Sequence, residues 1–256
     1  MLTLAQLAQY YSDLKKVSSK SILVEYLQYE LLDSIYKQEK SKHLSFMGGT
    51  AIRIAYGGNR FSEDLDFDNF GLDFSAFQEL LGKVVRDMGV KGFSVEFRFV
   101  EKGAYHCYIK FPHILQDSGV GGARGEKILV RIDAVRKEKL FAPVRFTLNR
   151  FDVYRNILVN PADIILSQKM AAILQRKREK GRDFYDVSFL YGITRPDFSF
   201  FEKSFQIKKN ELFGKLLEKC EKLDFKDLAK DVEPFLINPE QAERVADFLS
   251  FIKNKL

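Results

Sequence analysis

Two aspartates, Asp64 and Asp66, follow a Gly48-Gly49-Thr50 turn and give the sequence its clearest chemistry. Alternate residues of a strand point to one side, so the alternation in Leu65-Asp66-Phe67-Asp68 puts the carboxylates of Asp64 and Asp66 together. Like charges held close oppose each other's ionisation unless something positive sits between them. A divalent cation such as Mg²⁺ or Mn²⁺, which prefers oxygen ligands, is the natural neutraliser. Gly48-Gly49 leaves backbone N–H groups bare at a helix start, where phosphates bind. Taken singly, a Gly-Gly is more often a plain turn and an Asp-x-Asp more often a solvated strand edge. In this order, on a strand–turn–helix–strand pattern, they favour a metal-and-phosphate site. Asp68 and Asp73 read as an edge and a capping residue. No Gly-Lys-Ser/Thr follows the glycines, which excludes a Walker loop.

A two-metal phosphoryl-transfer site uses a third carboxylate. Arg131-Ile132-Asp133-Ala134-Val135 supplies one, with Asp133 on the same sheet face as Arg131 and Val135. Further on, Lys169 falls inside the apolar arc of Ala162, Ile165, Leu166 and Ile173. A lysine there is costly unless it reaches a partner or snorkels out, and a triphosphate or a carboxylate would serve. Arg176 lies seven residues on, on nearly the same helix side. Arg176, Lys177, Arg178, Lys180 and Arg182 crowd a short span. A solvated helix end meeting the C-terminal dipole and an RNA or phosphate contact both remain open for that run. Asp183 and Asp186, three apart, share a helix face, and either can be the acid of this later motif. His43, His106 and His113 form no ligand-like grouping, and no Ser-His-Asp or Cys-His set is evident.

The elements that must position these groups divide into two regions. Helical spacing predicts helices over 4–15, 20–38, 51–56 and 74–89. Alternation predicts strands at 43–47, 65–68, 93–100, 105–111 and 127–135, a small sheet of about four or five strands, with a loop at 119–125. From Asn160-Pro161 onward the pattern is helical, over 161–178, 182–191, 209–222 and 239–254, with Asn160 as cap. Domains of 1–158 and 159–256 follow. A composition 46% hydrophobic and 30% charged is that of a globular chain. The excess of Phe, 24 residues with no Trp, reads as core filling. Cys107 and Cys220 match no metal or redox spacing, and neither a signal peptide nor a membrane-spanning run is evident, so a cytoplasmic protein with no membrane partner is expected. The net charge of +6 is compatible with a polyanionic ligand without requiring one.

Residues 46–67 resemble the first motif of the DNA polymerase beta-like nucleotidyltransferases. More narrowly, Gly48-Gly49-Thr50-Ala51 with Gly58, Arg60, Ser62, Asp64, Leu65, Asp66 and Phe67 resembles the AbiEii/AbiGii family, nucleotidyltransferase toxins of bacterial abortive-infection (toxin–antitoxin) systems. Arg131–Val135 resembles the family's second motif, and Lys169 with Arg182-Asp183 and Asp186 its later ones. The likeness covers about residues 40–195. It implies an α+β fold, with a small mixed sheet flanked by helices followed by a C-terminal helical domain completing the cleft. It implies metal-dependent transfer of an NMP from an NTP with release of pyrophosphate. Asp64, Asp66 and Asp133 would hold metal, while Gly48, Gly49, Thr50, Arg60, Ser62, Arg176 and Asp186 would contact nucleotide. Lys169 and Asp183 would complete the catalytic set, Lys169 offsetting charge on pyrophosphate and Asp183 orienting Lys169 or the acceptor. The implied acceptor is RNA, the 3′ end of a tRNA, and a cognate antitoxin is an implied partner. An aminoglycoside-like small-molecule acceptor, a non-catalytic nucleotide-binding module and a γ-phosphoryl kinase are the alternatives.

Overall fold

A computed structural model describes residues 1–11, 17–120 and 126–255. Residues 12–15 of the first expected helix and most of the expected glycine-rich loop lie outside them. The chain forms two units: Met1–Ala51 with Phe61–Lys139 and Pro143–Val159, and Ile52–Arg60 with Leu140–Ala142 and Asn160–Leu256.

The first unit is built on a seven-stranded mixed sheet. In chain order the elements are α1 (Leu4–Ala8), α2 (Ser19–Tyr36), β1 (Leu44–Met47), α3 (Gly48–Ala55), β2 (Leu65–Asn69), α4 (Phe74–Val90), β3 (Glu96–Glu101), β4 (Tyr105–Phe111), α5 (Ile114–Asp117), β5 (Ile128–Arg136), β6 (Val144–Arg150) and β7 (Val153–Val159). Helix α3 crosses from one unit to the other at Ala51. The strand order is β3-β4-β5-β2-β1-β7-β6, so the Asp-x-Asp strand β2 is central. Its register with β5 is parallel, Leu65 against Ile132 and Asp66 against Asp133. One face, carrying Phe46, Leu65, Phe67, Ile132, Ala134, Cys107 and Ile109, is buried, and α2 and α4 pack on the sheet. Leu23, Leu27, Leu31 and Ile35 of α2 are all buried, as helical spacing requires. Helix α4 starts where expected, because the Asp73 carboxylate accepts the Ala76 N–H at 2.7 Å.

Strands β6 and β7 escape the alternation pattern, and the expected four or five strands become seven. Their hairpin turns on Phe151 and Asp152, with φ of 56° and 62°, a turn conformation that ordinarily calls for Asn-Gly. The strain is offset by burial: the Phe151 ring is 1% exposed and packs edge-on against Tyr10, Tyr26 and Tyr29. Asp68 also departs from expectation. On the central strand it is 1% exposed, inside the sheet and not at its edge.

The second unit is helical: α6 (Ala162–Gln175), α7 (Gly181–Leu190), α8 (Phe198–Phe205), α9 (Lys209–Cys220), α10 (Phe225–Val232), α11 (Glu243–Ala246) and α12 (Phe248–Lys253). Pro161, not Asn160, occupies the cap of α6. The Asn160 side chain is turned inward and donates to Gln168 Oε1 at 3.3 Å. Two helices were missed: α8, capped by Asp197, and α10, capped by Asp224. The helix expected over 239–254 is a 3₁₀ turn at Pro239–Ala242 followed by α11 and α12. Helix α7 approaches α10 so closely that a Cβ on Gly181 would strike the Leu228 carbonyl. Cys107 and Cys220 are buried free thiols, each pushed up to about 12 by burial. Among the described residues no helix is long and apolar enough to cross a membrane.

Asp33 ties the helical layer of the first unit to its sheet. Its carboxylate accepts hydrogen bonds from Lys91 at 2.7 Å and from Arg155 of β7 at 2.8 Å, and lies 3.1 Å from Lys37. Burial pushes the carboxyl up, but these cations outweigh it and bring the pKa down to about 2. Against an unfolded value of about 3.9, the shift corresponds to about 2.6 kcal/mol, present above pH ~4 and lost as the pH falls toward 2. Asp33→Asn should therefore be less stable than wild type by about that amount at pH 6, in denaturant titrations. The gap should close between about pH 4 and pH 2.

Candidate active site

Along the sheet face opposite Leu65 and Phe67, the register lines up one row of side chains: Met47 of β1, Asp66 of β2, Asp133 of β5 and His106 of β4. Asp66 and Asp133 stand directly opposite each other on neighbouring strands. Asp64 immediately precedes β2 and reaches the same group through Arg131, whose Nη2 donates to Asp64 Oδ2 at 2.7 Å. The Arg131 Nε lies 3.0 Å from Asp133 Oδ2, and His106 Nδ1 lies 2.7 Å from Asp133 Oδ1. Burial works against the Arg131 charge, but the carboxylates of Asp64, Asp133 and Asp66 outweigh it and raise its pKa.

Gly48 explains the turn of the motif. It has φ of 79°, and a Cβ on it would collide with the Asp66 carboxylate. The first glycine is thus both a left-handed turn residue and the floor beneath an acid. Thr50, fully buried, donates its hydroxyl to the Asp64 carbonyl, so its side chain positions the acid's backbone. Gly49 is buried, and Ser62 is half-buried with its carbonyl accepting from Gln28 at 2.8 Å.

The remaining candidates gather in the second unit. Asp186 of α7 accepts two hydrogen bonds from Arg60, at Nε and Nη2, both 2.6 Å. Lys169 of α6 lies 2.8 Å from Asp186 and 3.0 Å from Asp183. Arg176 lies 2.9 Å from the other Asp183 oxygen. Three cations and two anions thus form one network, running from Arg60 at 2% side-chain exposure to Arg176 at 38%. Burial pushes Asp186 up, but Arg60 and Lys169 outweigh it and hold its pKa below the usual range. Burial likewise lowers Lys169, and Asp186 and Asp183 reverse the shift upward. Arg60, expected to contact nucleotide, spends its fork on Asp186 inside the protein. Helix α6 ends at Gln175, so Arg176, Lys177, Arg178 and Lys180 lie in an irregular connection and not on a helix end, while Arg182 belongs to the first turn of α7.

Sequence reading missed His106 and the bridging role of Arg131. The signal for both is strand register, since His106 meets Asp133 only because β4 pairs with β5 at that step.

The residues suit a divalent cation by type: hard oxygen donors on one face, with a glycine where any side chain would intrude. Among the described residues, no three His, Cys, Asp or Glu side chains form a ready-made metal cluster.

The fold is shared with known structures. The chain is similar to JHP933 from Helicobacter pylori, at 18% identity over 94% of each chain and a TM-score of 0.57. It is similar to a second H. pylori protein, assigned as a nucleotidyltransferase, at 18% identity over 94% of this chain and 97% of that one, TM-score 0.56. The family described as nucleotidyl transferase AbiEii toxin, Type IV TA system, matches residues 30–254, and the chain belongs to it. It is a nucleotidyltransferase of a toxin–antitoxin family. No curated protein matches the chain.

Two substitutions test these arrangements. Gly48→Ala combines a strained φ with a clash at Asp66 and should cost about 2–4 kcal/mol of stability, read by urea denaturation. Asp186→Asn leaves the buried Arg60 and Lys169 without their shared counter-charge and should cost about 3–5 kcal/mol at neutral pH. Because the Asp186 pKa is depressed, that difference should be fully present above pH ~4 and shrink below it.

Proposed function

We propose that the chain transfers an NMP from an NTP to the 3′ end of an RNA, a tRNA being the favoured acceptor, and acts as the toxin of an abortive-infection system. The observation that carries the reading is the opposition of Asp66 and Asp133 on adjoining strands, above a glycine that keeps the space clear. Asp64, Asp66 and Asp133 would hold Mg²⁺ or Mn²⁺, which supplies charge neutralisation for the triphosphate when bound. Thr50 keeps Asp64 in place through its carbonyl. His106 orients Asp133 through one carboxylate oxygen. The Gly48-Gly49 turn offers backbone N–H groups to phosphate oxygens, and Ser62 a hydroxyl. The acceptor hydroxyl would attack the α-phosphorus as pyrophosphate departs.

In the second unit, Asp183 and Asp186 keep Lys169 cationic and fixed in direction. Arg176 stands at the exposed end of that network, followed by Lys177, Arg178 and Arg182, which suits contact with the phosphates of an RNA. The net charge of +6 supports the same acceptor class over a small neutral one. A cognate antitoxin follows as a genetic partner from the toxin–antitoxin family.

The test is transfer of label from each α-³²P NTP to total bacterial RNA in the presence of Mg²⁺. A tRNA-sized band and released pyrophosphate are expected with the wild-type chain. Asp64→Ala should lower the rate by on the order of a hundredfold or more while keeping the fold, as circular dichroism will report. Label on a small molecule such as an aminoglycoside, with RNA unlabelled, would overturn the RNA acceptor. Nucleoside diphosphate in place of pyrophosphate would overturn nucleotidyl transfer altogether.

A further inference from the structure

We propose that Arg131 is a built-in substitute for metal charge: it couples Asp64 to Asp133 in the metal-free chain, must release them when a divalent cation binds, and so sets the metal affinity of the site. The inference rests on the reading of Asp64, Asp66 and Asp133 as metal ligands. Three carboxylates brought to one face repel one another, and this guanidinium stands against two of them. It cannot be neutralised by deprotonation at any ordinary pH, so only exchange for another cation removes it.

The geometry is that of a removable clamp. Arg131 makes one directed hydrogen bond, Nη2 to Asp64 Oδ2 at 2.7 Å. Its Nε sits 3.0 Å from Asp133 Oδ2 but makes no directed hydrogen bond, so this end is held by charge. The other Asp133 oxygen, Oδ1, is taken by His106. The oxygen that faces Arg131 is therefore the one left for a metal, and cation and guanidinium compete for it. At 37% side-chain exposure, Arg131 has solvent to move into, and ion pairs at that exposure are weak. An arriving triphosphate gives the displaced guanidinium a new anionic partner, so metal and nucleotide should favour each other's binding.

The test is Mn²⁺ titration of the full chain, without nucleotide, followed by electron paramagnetic resonance and by isothermal calorimetry. Arg131→Gln removes the charge and should tighten Mn²⁺ binding by about tenfold. Arg131→Lys keeps a charge but cannot bridge two carboxylates, and should fall between the two; it carries the test should the Gln variant fail to fold. Adding a non-hydrolysable NTP analogue should tighten Mn²⁺ binding more in wild type than in Arg131→Gln. Equal Mn²⁺ affinities in wild type and both variants, abolished by Asp66→Asn, would overturn the role of Arg131 and leave the metal site standing. Absence of Mn²⁺ binding in every protein, with or without the analogue, would overturn the metal site and the clamp together.

Discussion

Repulsion among carboxylates held close together is the constraint around which the first unit is arranged. Asp66 and Asp133 are fixed opposite each other by the β2–β5 register, and neither strand can slip without turning every core residue to the wrong face. The acids are therefore held together by the hydrophobic packing of Leu65, Phe67, Ile132 and Ala134 on the reverse side. The surroundings of the acids follow from that placement: Arg131 between Asp64 and Asp133, His106 on the far side of Asp133, and Gly48 clearing the space under Asp66. The core stabilises, and the site uses that stability to hold charges that would otherwise separate.

The second unit meets the same electrostatic problem from the opposite direction. There the cations outnumber the anions, and two buried aspartates gather Arg60, Lys169 and Arg176 around them. Each oxygen of Asp186 faces a donor, the condition under which a buried ion pair is tolerated. The exposed end of the network carries the charge on to the basic connection after α6. The first unit thus gathers acids around one guanidinium, and the second gathers cations around two buried carboxylates.

The parts of this design that were legible in the sequence are those encoded by neighbours along the chain. The turn at Gly48-Gly49, the Asp-x-Asp alternation, the Asp73 cap and the apolar arc of α6 each rest on residues within a turn or two of one another. The family likeness rested on the same local run. Elements whose conformation depends on distant partners were hidden. The β6–β7 hairpin turns through two non-glycine residues because the Phe151 ring belongs to an aromatic cluster drawn from α2 and Tyr10. Asp68 looks like an edge residue until strand order makes β2 central.

The sequence by itself therefore marked out the candidate acids, Asp64, Asp66 and Asp133, and the local elements that carry them. Tertiary structure alone decided what those groups touch. Strand register brought His106 to Asp133, β5 aimed Arg131 between two acids, and the folding of residues 52–60 with α6 and α7 committed Arg60 to Asp186. The physical reason is range. Alternation and helical periodicity are set by backbone geometry within a few residues. Charge pairing and desolvation depend on partners far away in sequence, which only the folded chain brings within a few ångströms.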